Sequence, residues 1–193
     1  MFDGCDKTLV CAYFAGDATA FDRIIRRYGS SLLGYLTKMT GSQDKAEDLF
    51  QETFKRACEK MHTFSGDSLR PWLFTIATRL AIDDFKKRKN RAMVSLNKKN
   101  DCTTESLTAV AVDDSPGPLA EAIRTEQARH VRQAIQLLPA RQKATLVLAY
   151  YQQLSYSEVA KVLNCSLGTV KTQMFRALKT LAKKLPDISG DTT

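Results

Sequence analysis

The chain has few of the residues that build metal centres and disulfide frameworks. Its 193 residues include two histidines, His62 and His130, far apart in sequence. Five cysteines, Cys5, Cys11, Cys58, Cys102 and Cys165, are scattered without a CxxC pair. An odd, dispersed set argues against a disulfide scaffold or a zinc finger and for reduced thiols. No apolar run approaches the roughly 20 residues of a membrane span. The opening residues, MFDGCDKTLV, lack a basic segment followed by an apolar one. The expectation is a cytoplasmic protein with no direct membrane insertion. There is no phosphate-binding glycine loop, nucleophile elbow or metal-ligand pair, so neither enzyme chemistry nor a cofactor or metal is expected. No stretch alternates apolar and polar residues as a strand does, and no repeat is visible.

What the chain does have is charge, unevenly placed. Its 29 Lys/Arg and 21 Asp/Glu give a net charge of +8. Residues 119–186 carry eleven basic and three acidic side chains, and thus the whole excess; the remainder is balanced. A compact basic unit beside a neutral one points to a polyanion partner for the first and a protein partner for part of the second. With 44% hydrophobic residues there is enough apolar surface for a core.

Residues 155–184 read as a helix-turn-helix. Ser155 and Glu158 have capping-box spacing. Val159, Ala160 and Leu163 follow on one face. Asn164-Cys165-Ser166 makes a short break, with Asn suited to a left-handed turn residue and Ser166 placed to cap a second helix. Val170, Met174, Leu178, Leu181 and Leu185 are expected to face a core. Thr169, Thr172, Gln173, Arg176, Lys179 and Lys183 remain opposite. Arg and Gln on such a face match the hydrogen-bonding edges of guanine and adenine, and lysines match phosphates. A solvated charged face would show the same periodicity; the capping box, tight break and basic tail favour DNA. Upstream, Ile123, Val131, Ile135 and Leu138 mark one helix. Pro139 starts another, with Leu146, Val147 and Tyr150 expected inward.

The first half opens with residues 1–16, which show little pattern. From Asp17, residues Phe21, Ile24, Ile25, Tyr28, Leu32, Leu36 and Met39 recur at helical spacing until Thr40-Gly41-Ser42. Residues 43–62 form a second amphipathic run with Ala46, Leu49, Phe50, Thr53, Phe54, Ala57 and Met61 inward. Its outer face begins acidic and ends basic, which suits the helix dipole. Phe64–Ser68 is a loop, and Pro71 fits the start of a third helix. That helix ends in a basic arm from Lys86 to Arg91. Trp72 can serve a core or stack on an unpaired base. Residues 94–118 have no period and read as a linker. The expected fold is therefore all-α: two small helical domains joined by a flexible linker, the second with a helix-turn-helix. The domains are residues 1–93 and 119–186, with a tail at 187–193.

Three stretches in this order resemble the extracytoplasmic-function sigma factors of RNA polymerase: Asp44–Lys60, Phe64–Arg91 and Leu138–Leu181. The resemblance implies that Asp44, Asp48, Gln51, Glu52, Phe54 and Lys55 bind core RNA polymerase, with Phe54 packed underneath. It implies that Phe64, Ser65, Arg70, Trp72, Arg79, Asp83, Lys86, Lys87, Arg88 and Arg91 meet a melted, single-stranded minus-10 element, the loop from Phe64 to Arg70 receiving a flipped base. It implies that Ser166, Thr169, Lys171, Thr172, Gln173, Phe175, Arg176 and Lys179 meet a duplex minus-35 element. An anti-sigma protein is a further implied partner. The sequence departs from the family at Thr78-Arg79, where an Arg-Asn pair is usual, and at Thr172-Gln173, where Ser and Arg are usual. A helix-turn-helix regulator with an N-terminal helical dimerisation or sensing domain also explains residues 119–185, but leaves the 44–52 face and the 64–91 segment without a purpose.

Overall fold

In the computed structural model, residues 5–95 and 118–185 are described, with backbone alone for Lys89, 92–95 and 118–125. Most of the expected linker, the tail and Cys102 lie outside these residues. Among the described residues there are eight α-helices and no strand. They are α1 Asp6–Phe14, α2 Ala18–Thr40, α3 Gln43–Lys60, α4 Leu69–Ser95, α5 Pro118–Gln136, α6 Ala140–Leu146, α7 Tyr156–Leu163 and α8 Leu167–Lys184. A 3-10 turn, Met61–Thr63, follows α3, and a π-helical turn, Val147–Tyr151, follows α6.

Local signals set most of the boundaries. Asp17 caps α2 by accepting the Thr19 amide at 2.9 Å. Gly41 ends it at φ 74°, a left-handed conformation that glycine adopts without a Cβ penalty. Helix α1 was not anticipated. Its inward side is only Asp6, Leu9 and Val10, too short and too polar to show a period.

The buried apolar side chains of both halves form one continuous cluster, from Leu9 to Leu181. In the first half Leu32, Tyr35 and Leu36 of α2 meet Leu69, Leu73 and Phe74 of α4, with Ala46, Phe54 and Ala57 of α3 closing the core. The Tyr35 and Phe74 rings stack edge to face at 5.2 Å. Fully buried, the Tyr35 hydroxyl shares a 2.7 Å hydrogen bond with Thr78 Oγ1. Thr78, one of the positions where the sequence departs from the family, is thus committed to the core at 1% exposure.

Two apolar expectations are corrected. Leu178 is 53% exposed; Val170, Met174, Ala177 and Leu181 make the buried stripe instead. Ala177 is one position earlier, about 100° round the helix, and lets α6 approach α8 closely. Tyr150 is 67% exposed, whereas its neighbour Tyr151 packs against the core. The wide π turn adds a residue to the helical count and so shifts the inward face by one.

The Tyr35–Thr78 bond gives a stability test. Tyr35→Phe leaves the Thr78 hydroxyl buried and lowers unfolding free energy by about 1–2 kcal/mol. Adding Thr78→Val recovers part of that loss in denaturant unfolding, because both polar groups are then gone. Two simply additive losses would contradict this pairing.

Candidate nucleic-acid interface

The helix-turn-helix forms as its capping residues dictate. Ser155 Oγ accepts the Glu158 amide at 3.3 Å, and Glu158 Oε2 accepts the Ser155 amide at 2.8 Å. Hydrogen bonds from Ser155 hold the Glu158 carboxyl below its ordinary value. Asn164 takes φ 48° and ψ 58°, ending α7 in the left-handed region. Ser166 then caps α8 by accepting the Thr169 amide at 3.1 Å. The two inward faces meet through Val159 and Val162 of α7 and Val170 and Met174 of α8. Val162, not Leu163, is the second buried anchor of α7; Leu163 is half-buried.

This leaves Ser166, Lys171, Thr172, Phe175, Arg176 and Lys179 exposed, with Thr169 and Gln173 half-buried. The Thr172 hydroxyl donates to Gly168 O at 2.9 Å, so its donor is already engaged. Phe175 is 67% exposed, an unusual placement for a phenyl ring unless an apolar contact awaits it.

On the first half, α3 presents Asp44, Asp48, Gln51 and Lys55 in one exposed row at spacings of four, three and four. Glu52 is half-buried and paired with Arg56 at 2.7 Å. Phe54 lies beneath this row at 5% exposure, edge to face with Phe50 at 4.9 Å and Phe21 at 6.1 Å. It supports the row rather than presenting itself.

The loop and helix expected to meet a melted strand are divided by the structure. Phe64 stacks edge to face on Trp72 at 5.7 Å, and both are half-buried against the core. Ser65 is exposed. Along α4, Arg79, Asp83 and Lys86 share a face and line a cleft of about 270 Å³. Lys87 and Arg91 are exposed. Arg88 departs from the expected surface. It is half-buried, paired with Asp84 at 2.8 Å, and reaches within 3.5 Å of Thr40 O at the end of α2.

The far wall of that cleft was not foreseen: Arg141, Val162, Leu163 and Asn164, from the second half. Helix α7 lies directly against α4. Arg70 Nη2 donates to Gln152 O at 2.6 Å, tying the loop side of α4 to the π turn. Gln136 Nε2 donates to Lys38 O at 2.8 Å, and its Oε1 accepts from Lys143 Nζ at 2.8 Å. Lys143 also approaches Met39 O at 3.4 Å and sits 5.7 Å from the Phe85 ring. A Cβ on Gly41 would stand 2.9 Å from Gln136 Oε1, so glycine also makes room for this contact. Lys38 covers the Tyr151 ring at 4.7 Å. Sequence periodicity carries no signal for the contacts between the halves, which link residues from 58 to 113 positions apart.

Comparison with known proteins agrees with both halves. Residues 24–91 match the family described as Sigma-70 region 2, and residues 128–181 match Sigma-70, region 4. The chain is 34% identical over 175 residues to the ECF RNA polymerase sigma factor BldN of Streptomyces coelicolor, covering 90% of this chain and 63% of that protein. It is 32% identical over 185 residues to the RNA polymerase sigma-H factor of Pseudomonas aeruginosa, covering 93% of each. It is 32% identical over 176 residues to the ECF RNA polymerase sigma factor SigW of Bacillus subtilis, covering 90% and 92%. In fold it is similar to the sigma factor RpoE solved with the anti-sigma factor NepR from Bartonella quintana, with a TM-score of 0.69 and 24% identity over 90% of this chain and 100% of that one. It is also similar to CnrH solved with the cytosolic domain of CnrY, with a TM-score of 0.64 and 22% identity over 92% and 95%.

Lys143 makes the contact between halves sensitive to protons. At 2% exposure, burial first and Arg88 second lower its ammonium pKa from 10.5 to about 8. The folded chain thus gives up this proton earlier than the unfolded chain. The desolvation cost is full below about 8 and gone above 10.5, so this group makes stability rise with pH across that window. Denaturant unfolding at mildly alkaline and more alkaline pH should show a gain in the wild type that Lys143→Met reduces. Equal gains in both proteins would contradict the assignment.

Proposed function

The chain belongs to the extracytoplasmic-function sigma factors, initiation factors that direct RNA polymerase to promoters and carry out no bond chemistry themselves, and we propose how its two halves divide that work. Residues 1–93 act as the polymerase-binding and minus-10 domain, 94–118 as the linker and 119–186 as the minus-35 domain. The exposed row Asp44, Asp48, Gln51 and Lys55 docks on core polymerase, with Glu52 at its edge and Phe54 as its support. The observation that supports this reading is that four polar side chains share one face of α3 while its apolar residues are committed to the core.

For the minus-35 element, α8 enters the major groove of the duplex. Arg176 and Gln173 read base edges, Phe175 supplies an apolar contact, and Ser166, Thr169, Lys171, Thr172 and Lys179 meet bases or phosphates. For the minus-10 element, the loop at Phe64 and Ser65 receives an unstacked base beside Trp72. Arg79, Asp83, Lys86, Lys87 and Arg91 follow the strand, and Arg88 braces α4 from behind. Removing a base from the stack costs a few kcal/mol, which aromatic contact and a basic surface offset.

The closed arrangement cannot perform this task. The two promoter elements are about 25 base pairs apart by their own positions, or about 85 Å of duplex at about 3.4 Å per base pair. Here α4 and α7 touch, with Arg79, Asp83 and Lys86 exposed along the cleft between them. The halves therefore separate when the factor engages polymerase and DNA, and the 94–118 segment spans the gap. One solved protein of the same fold, RpoE of Bartonella quintana, carries an anti-sigma factor, NepR. An anti-sigma protein for this chain, binding the closed form in the cytoplasm, belongs to the same proposal. No described helix is long and apolar enough to cross a membrane.

One experiment separates the two surfaces. Asp48→Arg weakens binding of the chain to core polymerase while duplex affinity stays as it was. Arg176→Ala does the reverse, and relaxes one minus-35 position by about 1–3 kcal/mol in a selection on randomised promoters. Equal losses for one variant in both assays would contradict the division.

A further inference from the structure

Helix α1 lies outside the residues matched to region 2, which begin at 24. Yet its first two residues both reach the loop before α4. Asp6 is 7% exposed, and its Oδ2 accepts the backbone amide of Leu69, the first residue of α4, at 2.6 Å. The first amides of a helix have no partner within it, and a carboxylate there also meets the positive end of the helix dipole. That group usually comes from the residue just before the helix. Here it comes from 63 positions away, while the nearby Ser68 Oγ accepts the Arg70 amide at 3.3 Å.

The Asp6 carboxylate is itself held firmly. Tyr28 donates its hydroxyl to Oδ2 at 2.6 Å and lies 2.7 Å from Oδ1, which also receives Arg27 Nη1 at 2.9 Å. Burial and the adjacent carboxylate push the Tyr28 hydroxyl up to about 12, so it remains a donor at neutral pH. Next to Asp6, Lys7 pairs with Asp67 inside the loop at 2.5 Å. At the loop's other end, the Phe64 ring rests on Trp72. The segment between Phe64 and Leu69 is thus anchored at both ends and at Asp67, and α1 supplies two of the three anchors.

We infer that Asp6 is a positioning residue for minus-10 recognition, fixing the base-receiving loop against the start of α4. This rests on the reading that the loop receives a base. Asp6 is buried and touches no DNA; it acts through Leu69 and the loop. Carboxylate–amide bonds are charge-assisted and directional, so the anchor sets where the loop ends, whereas an exposed pair such as Lys7–Asp67 adds little by itself.

The test uses holoenzyme assembled from core polymerase and the whole chain on a promoter library randomised across the minus-10 element, with transcripts sequenced. Phe64→Ala and Ser65→Ala act on the loop directly. Asp6→Asn keeps the shape and removes the charge, and Tyr28→Phe withdraws one donor while keeping the ring. The expected result is that loop variants and Asp6→Asn flatten preference at the same minus-10 position, Asp6→Asn by roughly three- to tenfold. Tyr28→Phe does so more weakly, with minus-35 preference and polymerase affinity unchanged; it carries the test if Asp6→Asn does not fold. A uniform fall in transcription with unaltered preference would overturn the inference and leave Asp6 a structural residue. Loop variants that change preference while Asp6→Asn and Tyr28→Phe do not would overturn it and leave the loop reading intact. No change from the loop variants themselves would overturn both.

Discussion

The carbonyl end of α2 is the constraint on which the closed molecule depends. A helix leaves its last carbonyls without internal partners, and they carry the negative end of its dipole. Here those groups are met from outside. Gln136 of α5 takes Lys38 O, Lys143 of α6 approaches Met39 O, and Arg88 of α4 reaches towards Thr40 O. Two of the three come from the second half of the chain. Capping α2 and joining the halves are therefore the same interaction. Gly41 permits it, since a side chain there would collide with Gln136.

This arrangement sets how the two halves meet. With Gln136 and Lys143 seated on α2, α7 is brought onto α4, and Arg79, Asp83 and Lys86 face Arg141 and Asn164 across the cleft. The α3 row and the outer face of α8 remain exposed. Polymerase docking and duplex contact by themselves need no rearrangement, whereas reaching both promoter elements at once does. The contact is strong enough to form but carries a cost in Lys143, a cation buried beside another cation and neutral acceptors. A joint that holds the free chain and yields to a larger binding free energy is suited to a factor that must bridge two distant DNA elements.

The sequence was informative where structure is local. The Ser155–Glu158 box, the left-handed Asn164, the Asp17 cap and the Gly41 stop each form from residues within a few positions of one another, and each stands where the spacing indicates. The α3 row was equally legible, because its polar and apolar faces are separate. Leu178 and Tyr150 were misplaced because periodicity tolerates a one-residue shift, which Ala177 and the π turn then decide. Helix α1 was missed because its key inward residue is a carboxylate, which hydropathy reads as surface. The cleft, the Gln136–Lys143 joint and the Asp6 anchor join distant parts of the chain, so no window of sequence contains them.

The most direct measurement is the distance between spin labels at positions 83 and 163, in a chain whose native cysteines are replaced, read first alone and then in the polymerase–promoter complex. Both positions line the cleft between α4 and α7. The distance is expected to be short in the free chain and much longer in the complex, as the halves part to reach the two elements. A short distance retained in a transcription-competent complex would contradict it.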